Sequence, residues 1–198
     1  RVLGGAAADG ETYDANDVIA RVIASGPNRP ESVLRTTFFM AMTTARERIW
    51  ITTPYFVPDQ AVLTAIRTAA LRGVDVRILV PGISDVPVAQ AAGRSYFAEL
   101  LDAGAEIYEY EREVLHAKAL LFDRDWVIVG SANMDIRSFL LNFEANCVLH
   151  SAELNEALAS TFEEWQNDSR RITREDYASR GFARRLEEST ARLLSPLL

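Results

Sequence analysis

The 198-residue sequence has few of the residues that build metal clusters, disulfide frameworks and nucleic-acid surfaces. It contains one cysteine, Cys147, and two histidines, which excludes a disulfide scaffold and a thiolate metal cluster. Its net charge of -7 argues against a long track for nucleic-acid phosphates. No apolar run reaches the roughly 18 residues of a membrane span, so we expect this chain by itself to be soluble, without a transmembrane segment.

The remaining composition is that of a globular domain. Hydrophobic residues make up 48% of the chain, enough for a sizeable core, and the length fits one domain. Residues 1–17 are rich in Gly, Ala and Asp without an apolar period, which predicts a flexible lead-in. We therefore expect residues 18–198 to form a single domain. The chain does not begin with Met, which is compatible with a longer protein.

Strand-like and helical segments alternate from Val18 to Tyr110 in the order βαβαβαβ. One helix has Asp59 near its cap and Gly73 just past its end, and a second is expected over residues 86–103. This alternation predicts the α/β class, with a mixed, largely parallel central sheet and helices on both faces.

The pattern changes after Glu113. The runs "VLHAKALLF" and "WVIVGSA" flank the polar turn "DRD" and predict an antiparallel hairpin. A further strand, "NFEANCVLH", follows a short helical connection. From Ser151 the chain is expected to be helical, with Leu154, Leu158 and Phe162 on one apolar face.

The hairpin carries the residues best suited to chemistry. On a strand, His116 and Lys118 share a face, and the turn brings the end of the second strand back beside them. By itself the pair is also compatible with a satisfied histidine beside a lysine that extends to solvent. In "GSAN", however, Gly130 allows close backbone approach, and Ser131 and Asn133 offer donors for phosphate oxygens.

Glu144 lies on the next strand, where its carboxylate could bind one imidazole nitrogen and set the tautomer. The group lacks a carboxylate pair or a His/Cys cluster, so we expect no metal and no other cofactor. An imidazole, an ammonium, a hydroxyl and a carboxamide together indicate phosphoryl chemistry.

The pattern His116-x-Lys118-x4-Asp123, followed by Gly130-Ser131-x-Asn133, resembles the HxKxxxxD motif and trailing GSxN of the phospholipase D superfamily. The stretches "GSANMDIRSFLLNFEAN", "ITTPYFVPD" and "AALRGVDVRILVPG" are similar to bacterial cardiolipin synthases. The resemblance covers the chain from about residue 18 onward. It implies a phospholipase D-like α-β-α sandwich and the second of two halves of an enzyme.

The resemblance also implies roles for single residues. His116 would be the catalytic histidine, Lys118 and Asn133 would hold phosphate oxygens, Ser131 would assist, and Glu144 would orient the imidazole. The roles expected of Asp123 and Tyr55 follow from their own positions in the sequence. Asp123 has the opposite strand parity from His116 and is expected to be structural, capping or salt-bridging the hairpin. Tyr55 follows a strand end, where it could line a lipid glycerol pocket or pack in the core, and Gly130 completes the expected substrate-binding set.

The family's chemistry implies a phosphohistidine and a second histidine that acts as acid and base. This chain has one motif, and His150 lacks the following lysine and is expected to be structural. The second histidine would come from a missing N-terminal half or from an identical chain. His116 would then be either the nucleophile or, as we favour, the general acid and base.

The resemblance thus predicts synthesis of cardiolipin from phosphatidylglycerol with release of glycerol, at a bacterial membrane surface and without nucleic acid as a partner. On this view the isolated chain is nearly inactive. A homodimeric phospholipase D-type phosphodiesterase or nuclease is the first alternative, disfavoured by the acidic charge. A non-catalytic phosphate-binding half is the second.

Overall fold

The structure is a computed structural model that describes residues 18–28 and 32–193. The expected lead-in at residues 1–17 lies outside the described residues. Ten strands are found in the described part: β1 (Ile19–Ser25), β2 (Arg48–Thr52), β3 (Phe56–Val57), β4 (Asp75–Pro81), β5 (Glu106–Tyr110), β6 (Ala119–Phe122), β7 (Trp126–Gly130), β8 (Met134–Asp135), β9 (Glu144–His150) and β10 (Ser169–Ile172). Its helices are α1 (Val33–Thr44), α2 (Gln60–Leu71), α3 (Pro87–Arg94), α4 (Phe97–Asp102), α5 (Ile136–Leu140), α6 (Ala152–Asn167), α7 (Arg174–Ala178) and α8 (Phe182–Leu193).

Eight strands form one sheet in the order β1-β9-β7-β6-β2-β4-β5-β10, and β3 pairs with β8 beside it. The mixed α/β class is confirmed, but the sheet is less parallel than expected. Only β2 with β4 and β4 with β5 run parallel, whereas the other five pairs of this sheet are antiparallel. The expectation was wrong about β1, which joins β9 at the far edge. Local alternation of strands and helices does not specify which distant strand each one pairs with.

Helices cover both faces of the sheet, as predicted. Because successive side chains of β2 point to opposite faces, Ile49 and Ile51 pack with helices α1 and α2, whereas Trp50 faces α6. Trp50 stacks on Phe162 of α6 with ring centroids 5.0 Å apart. The side chains on both faces of the sheet are buried and closely packed, so the sheet holds the residues at its edges in fixed positions. No helix within the described ranges is long and apolar enough to cross a membrane.

The helix caps follow the sequence signals. The Asp59 side chain accepts from the Val62 amide at 2.9 Å, and Gly73 ends α2 with φ +87°. The single helix expected over residues 86–103 is instead divided into α3 and α4. The Ser95 hydroxyl and amide both bond to the carbonyl of Ala92, which tightens the turn at this point and interrupts the regular ladder.

The predicted hairpin forms, but its first strand is shorter than expected. β6 begins at Ala119, and His116 and Lys118 precede it in an extended segment. Ala119 pairs with Thr52 of β2, whose chain then turns away at Pro54, so the residues before Ala119 have no partner strand on that side. On the other side, the Gly130 amide still bonds to the Lys118 carbonyl at 3.3 Å. The histidine and lysine therefore lie at an open end of the sheet.

Candidate active site

His116 and Lys118 contact each other directly. The Lys118 Nζ lies 2.9 Å from His116 Nδ1 and 3.1 Å from the His116 carbonyl oxygen. A lysine ammonium has only donors, so Nδ1 is the acceptor in this contact and Nε2 faces away from the lysine contact. His116 is exposed and Lys118 is partly buried. The pair is thus accessible to a ligand that approaches from solvent.

The electrostatic surroundings of Lys118 contain several carboxylates. Burial lowers the pKa of Lys118, and the charges of Glu144, Asp135 and Asp85 oppose this shift. A partly desolvated ammonium attracts an anion more strongly than one in water because less hydration must be removed. The binding of phosphate oxygens by Lys118 stays a prediction.

Ser131 and Glu144 form a pair beside the hairpin end. The Ser131 hydroxyl donates to Glu144 Oε2 and accepts from the Ala145 amide at 3.0 Å. The Asn142 side-chain amide donates to Glu144 Oε1 at 3.2 Å. Glu144 is buried, and these contacts occupy both of its oxygens. That Glu144 orients the imidazole stays a prediction, because its hydrogen bonds within the described part of the chain go to Ser131 and Asn142.

Asn133 lies at the start of the segment that leads into α5. Its backbone N–H donates to Ser138 Oγ at 3.1 Å, which fixes the backbone at this position. Its side-chain oxygen Oδ1 is buried without a hydrogen-bond partner among residues 18–28 and 32–193. A buried acceptor without a partner costs free energy unless a ligand or water satisfies it.

Gly130 has a definite packing role. A Cβ at this position would meet the carbonyl oxygen of Ala145 and would lie 2.6 Å from Cα of Asn146, both on β9. Only glycine lets β7 approach β9 this closely. The close approach predicted from the sequence is therefore toward a neighbouring strand, and the binding of substrate by Gly130 stays a prediction.

Tyr55 lies beside the imidazole. Its ring centroid is 6.3 Å from that of His116, with the two planes perpendicular. The Tyr55 hydroxyl donates to Asp85 Oδ1 at 2.9 Å, and burial together with this hydrogen bond raises the pKa of Tyr55 to about 12. The hydroxyl is therefore protonated at neutral pH.

Asp123 lies at the other end of the hairpin, five residues after Lys118. An extended chain rises about 3.3 Å per residue, so the two residues are about 16 Å apart. The φ of Asp123, 47°, places it in the left-handed region, which Asp tolerates in tight turns. Its Oδ1 accepts from the amides of Arg46, Glu47 and Arg48 at 2.9, 2.7 and 3.3 Å. The contacts of Asp123 are those of a structural residue that ties the hairpin turn to the start of β2.

The second histidine, His150, contacts a carboxylate. Its Nε2 lies 3.3 Å from Asp125 Oδ2, at the turn end of the hairpin. It lies far from His116, because His150 pairs with Trp126 at the turn end of the hairpin, whereas His116 precedes β6 at the open end. This geometry agrees with the structural role expected from the sequence.

Three residues of the site region were not expected from the sequence: Asp85, Asp135 and Asn142. Asp85 follows β4, which is parallel to β2, and the loops after parallel strands meet at the same edge of a sheet. That rule could have identified it. Asp135 is 4% exposed, and burial raises its pKa, although it caps α5 by accepting from the Ser138 amide at 2.7 Å.

Comparison with known proteins shows which family the chain belongs to. Residues 39–165 match the family described as "Cardiolipin synthase, PLD-like domain". The chain belongs to this family. It is 44% identical over 178 residues to cardiolipin synthase 2 of Bacillus cereus, covering 90% of this chain and 35% of that protein. A cardiolipin synthase of Halalkalibacterium halodurans is 45% identical with the same coverage of each chain.

Solved structures show the same fold at low sequence identity. The phospholipase D family member Nuc from Salmonella typhimurium has a TM-score of 0.68 at 22% identity, covering 79% of this chain and 99% of that chain. A phosphatidylserine synthase of Haemophilus influenzae has a TM-score of 0.70 at 16% identity, covering 92% of this chain and 48% of that chain. The chain spans about a third of the length of the curated relatives it matches.

Proposed function

We propose that this chain is one half of the active site of a phosphatidyltransferase that joins two phosphatidylglycerol molecules into cardiolipin and releases glycerol. The observation that carries the proposal is the contact between the Lys118 ammonium and His116 Nδ1 at an open sheet end. The 44% identity to cardiolipin synthase 2 of Bacillus cereus supports the choice of substrate.

In the first step, one imidazole attacks phosphorus and forms an N–P bond, while the bond from phosphorus to the glycerol oxygen breaks. The other imidazole, as imidazolium, gives its proton to the departing glycerol oxygen. In the second step the hydroxyl of another phosphatidylglycerol gives a proton back to that imidazole and attacks phosphorus, which breaks the N–P bond. We assign the acid and base role to His116.

Substrate changes the contacts of Lys118 in this scheme. Its ammonium leaves His116 Nδ1 for a nonbridging phosphate oxygen, where it offsets the charge that collects in the transition state. Asn133 offers a carboxamide to the same group, and Ser131 assists from the neighbouring strand. Once Nδ1 is free, the ring can take up the proton that it later donates, and a carboxylate such as Glu144 can stabilise the charged ring.

The second imidazole comes from outside this chain, either from a preceding half of the same protein or from an identical chain. Support comes from lengths: the chain covers 48% of the phosphatidylserine synthase and 35% of the cardiolipin synthase. Apolar side chains with 48 to 74% exposure lie within two positions of His116, Asn142 or Glu144 in the sequence, and we expect the second half to cover them. They are Val114, Leu140, Leu141 and Phe143.

The proposed substrates also place the complete protein at a bacterial membrane. Phosphatidylglycerol stays in the bilayer, so the open sheet end must approach the lipid headgroups for transfer to occur.

Water competes with the second phosphatidylglycerol as acceptor. The ratio of cardiolipin to the hydrolysis product reports which acceptor the complete site prefers.

The decisive experiment uses the complete protein and vesicles that contain phosphatidylglycerol. We expect cardiolipin and glycerol in a one-to-one ratio, and His116→Ala should lower the rate by about a thousandfold or more. His150→Asn serves as the matched control and should keep most of the wild-type rate. Cardiolipin formation by His116→Ala at the wild-type rate would refute the proposal. Cleavage of nucleic acid by a homodimer would favour the nuclease alternative.

A further inference from the structure

Helix α8 exposes apolar side chains and buries a charged one, which is the reverse of a usual surface helix. Phe182, Leu186 and Leu193 are 55 to 80% exposed. At about 100° per residue, these three side chains fall within about 40° of one another around the helix axis. They form one apolar line along α8, which we call the α8 stripe. The buried residues of the helix are Glu188 and Ala191.

The polar side of α8 holds the helix to the domain. Glu188 is 3% exposed and contacts the guanidinium groups of Arg180 and, at 3.5 Å, Arg184. Near the end of the helix, Arg192 donates to Glu99 at 3.1 Å. A buried carboxylate between two arginines fixes which side of the helix meets the domain, because turning α8 would leave that charge without its partners. The α8 stripe is therefore directed to solvent.

The segment that carries α8 is basic, although the chain as a whole is acidic. Residues 169–198 contain seven arginines and four acidic residues, whereas the complete chain has a net charge of -7. Arg184 and Arg185 are both exposed in the first turns of α8. Glu187 lies about 100° or more around the helix from each residue of the stripe. An apolar stripe with arginines beside it is typical of a helix that binds the interface of an anionic bilayer.

The size of the α8 stripe favours a lipid surface over a protein partner. A stable protein interface buries roughly 800 Å² on each partner, and three apolar side chains offer about half of that. A bilayer sets no such minimum, because affinity grows with each side chain that enters it. With 12 residues, α8 is shorter than the roughly 20 residues of a membrane span, so it would lie in the plane of the interface.

Helix α3 links α8 to the candidate active site. α8 packs along α3. At the start of α3, Val86 and Ala89 line a cleft of about 270 Å³ together with Tyr55 and Asn133. The α8 stripe thus lies in the same part of the molecule as the site, and a membrane bound there would be close to the open sheet end.

We propose that the α8 stripe is a membrane-contact surface for a bilayer of anionic phospholipid. Phe182, Leu186 and Leu193 enter the boundary between headgroups and acyl chains, while Arg184 and Arg185 stay at the level of the lipid phosphates. The inference rests on the proposed function for the presence of a membrane. It names the surface that binds the membrane, and it does not depend on the transfer reaction.

The test measures binding of the 198-residue chain to lipid vesicles by co-sedimentation. The chain has its own core on both faces of the sheet, so it can be tested without the second half. One set of vesicles contains phosphatidylcholine alone, and in the other set half of the lipid is phosphatidylglycerol. We expect about tenfold tighter binding to the second set, with a loss of this preference at high salt.

Two substitutions separate the apolar and the charged contributions. Leu186→Glu should weaken binding to the phosphatidylglycerol vesicles about tenfold, because it places a carboxylate in the stripe. Arg185→Gln should weaken it about fivefold and leave binding to phosphatidylcholine unchanged. Circular dichroism checks that each variant is folded.

Leu71→Glu is the matched control. Leu71 is 66% exposed and lies on α2, so the same substitution there should leave vesicle binding unchanged. Equal binding by Leu186→Glu and the wild-type chain would overturn the inference, as would binding that does not depend on phosphatidylglycerol. A dimer that Leu186→Glu converts to a monomer, with vesicle binding unchanged, would show that the stripe is an interface between copies instead.

Transfer is measured separately, on the complete protein. If the chain binds vesicles through the α8 stripe but the complete protein makes no cardiolipin, the surface stands and the transfer reaction is refuted. If the complete protein makes cardiolipin but Leu186→Glu leaves vesicle binding of the chain unchanged, the surface alone is refuted.

Discussion

The two ends of the β6–β7 hairpin use polar residues in opposite ways. At the turn end, Asp123 accepts from three backbone amides, and His150 faces Asp125. At the open end, Lys118 has a lowered pKa, and Asn133 Oδ1 is buried without a partner in the described residues. The first arrangement stabilises the fold, whereas the second leaves hydrogen-bonding capacity for a ligand.

The difference explains why a motif can include residues with unlike roles. Asp123 is five residues from Lys118 in the sequence, yet its contacts tie the turn to the start of β2 rather than to the imidazole. The two strands of the hairpin lie in the middle of the eight-stranded sheet, between β9 and β2.

The largest effect on stability is expected at Gly130. In Gly130→Ala the new methyl would overlap the β9 backbone at Ala145 and Asn146, so the free energy of unfolding should fall by about 3 kcal/mol. Gly181→Ala is the control, since nothing lies within 4 Å of a Cβ at that position. Urea unfolding measures both. Equal stability of the two variants would show that the open end does not require a close backbone approach.

Asp123→Ala tests the turn end. It removes the acceptor for three amides and places a residue without a polar side chain at φ 47°, so we expect a loss of about 2 kcal/mol in unfolding free energy. Asp123→Asn should lose less, because Asn tolerates this conformation and keeps one oxygen acceptor. Thermal unfolding and the transfer rate of the folded protein are measured together. A lost rate with unchanged stability would make Asp123 a chemical residue instead.

Asp135→Asn should change the free energy of unfolding by less than the two variants above, and it should raise this free energy instead of lowering it. Burial raises the pKa of Asp135 in the folded state, so its contribution to stability is full below the unfolded pKa and is lost as the pH rises through the folded value. Asn keeps the helix cap without a buried charge. The variant should therefore melt at a higher temperature than the wild type near pH 7, and the gain should vanish in acid. A melting temperature that is lower at pH 7 would contradict this.

The smallest effect is a shift in a pH profile. Since burial lowers the pKa of Lys118, the ammonium should be lost, and transfer should fall, at a lower alkaline pH than for an ordinary lysine. In Lys118→Arg the fall in rate should move to higher pH, whatever the maximal rate, because arginine stays charged. Initial rates across the alkaline range measure the shift. An identical limb in both proteins would show that another group controls it.

Much of the fold could be predicted because its signals are local. The Asp59 cap, the Gly73 end of α2 and the apolar face of α6 each depend on residues within one or two turns. The pairing of β1 with β9 could not be predicted, because it joins residues more than a hundred positions apart. The split between α3 and α4 depends on a side-chain bond of Ser95 that competes with the helix ladder.

The candidate site divides in the same way. The sequence by itself determined the motif residues and their spacing on one hairpin, since strand periodicity and turn chemistry act between near neighbours. Only the tertiary structure decided that β6 begins after Lys118, that Gly130 meets β9, and that Asp85 and Asp135 join Tyr55 around a cleft. Those outcomes depend on long-range strand order and on burial, which arise only when distant segments pack together.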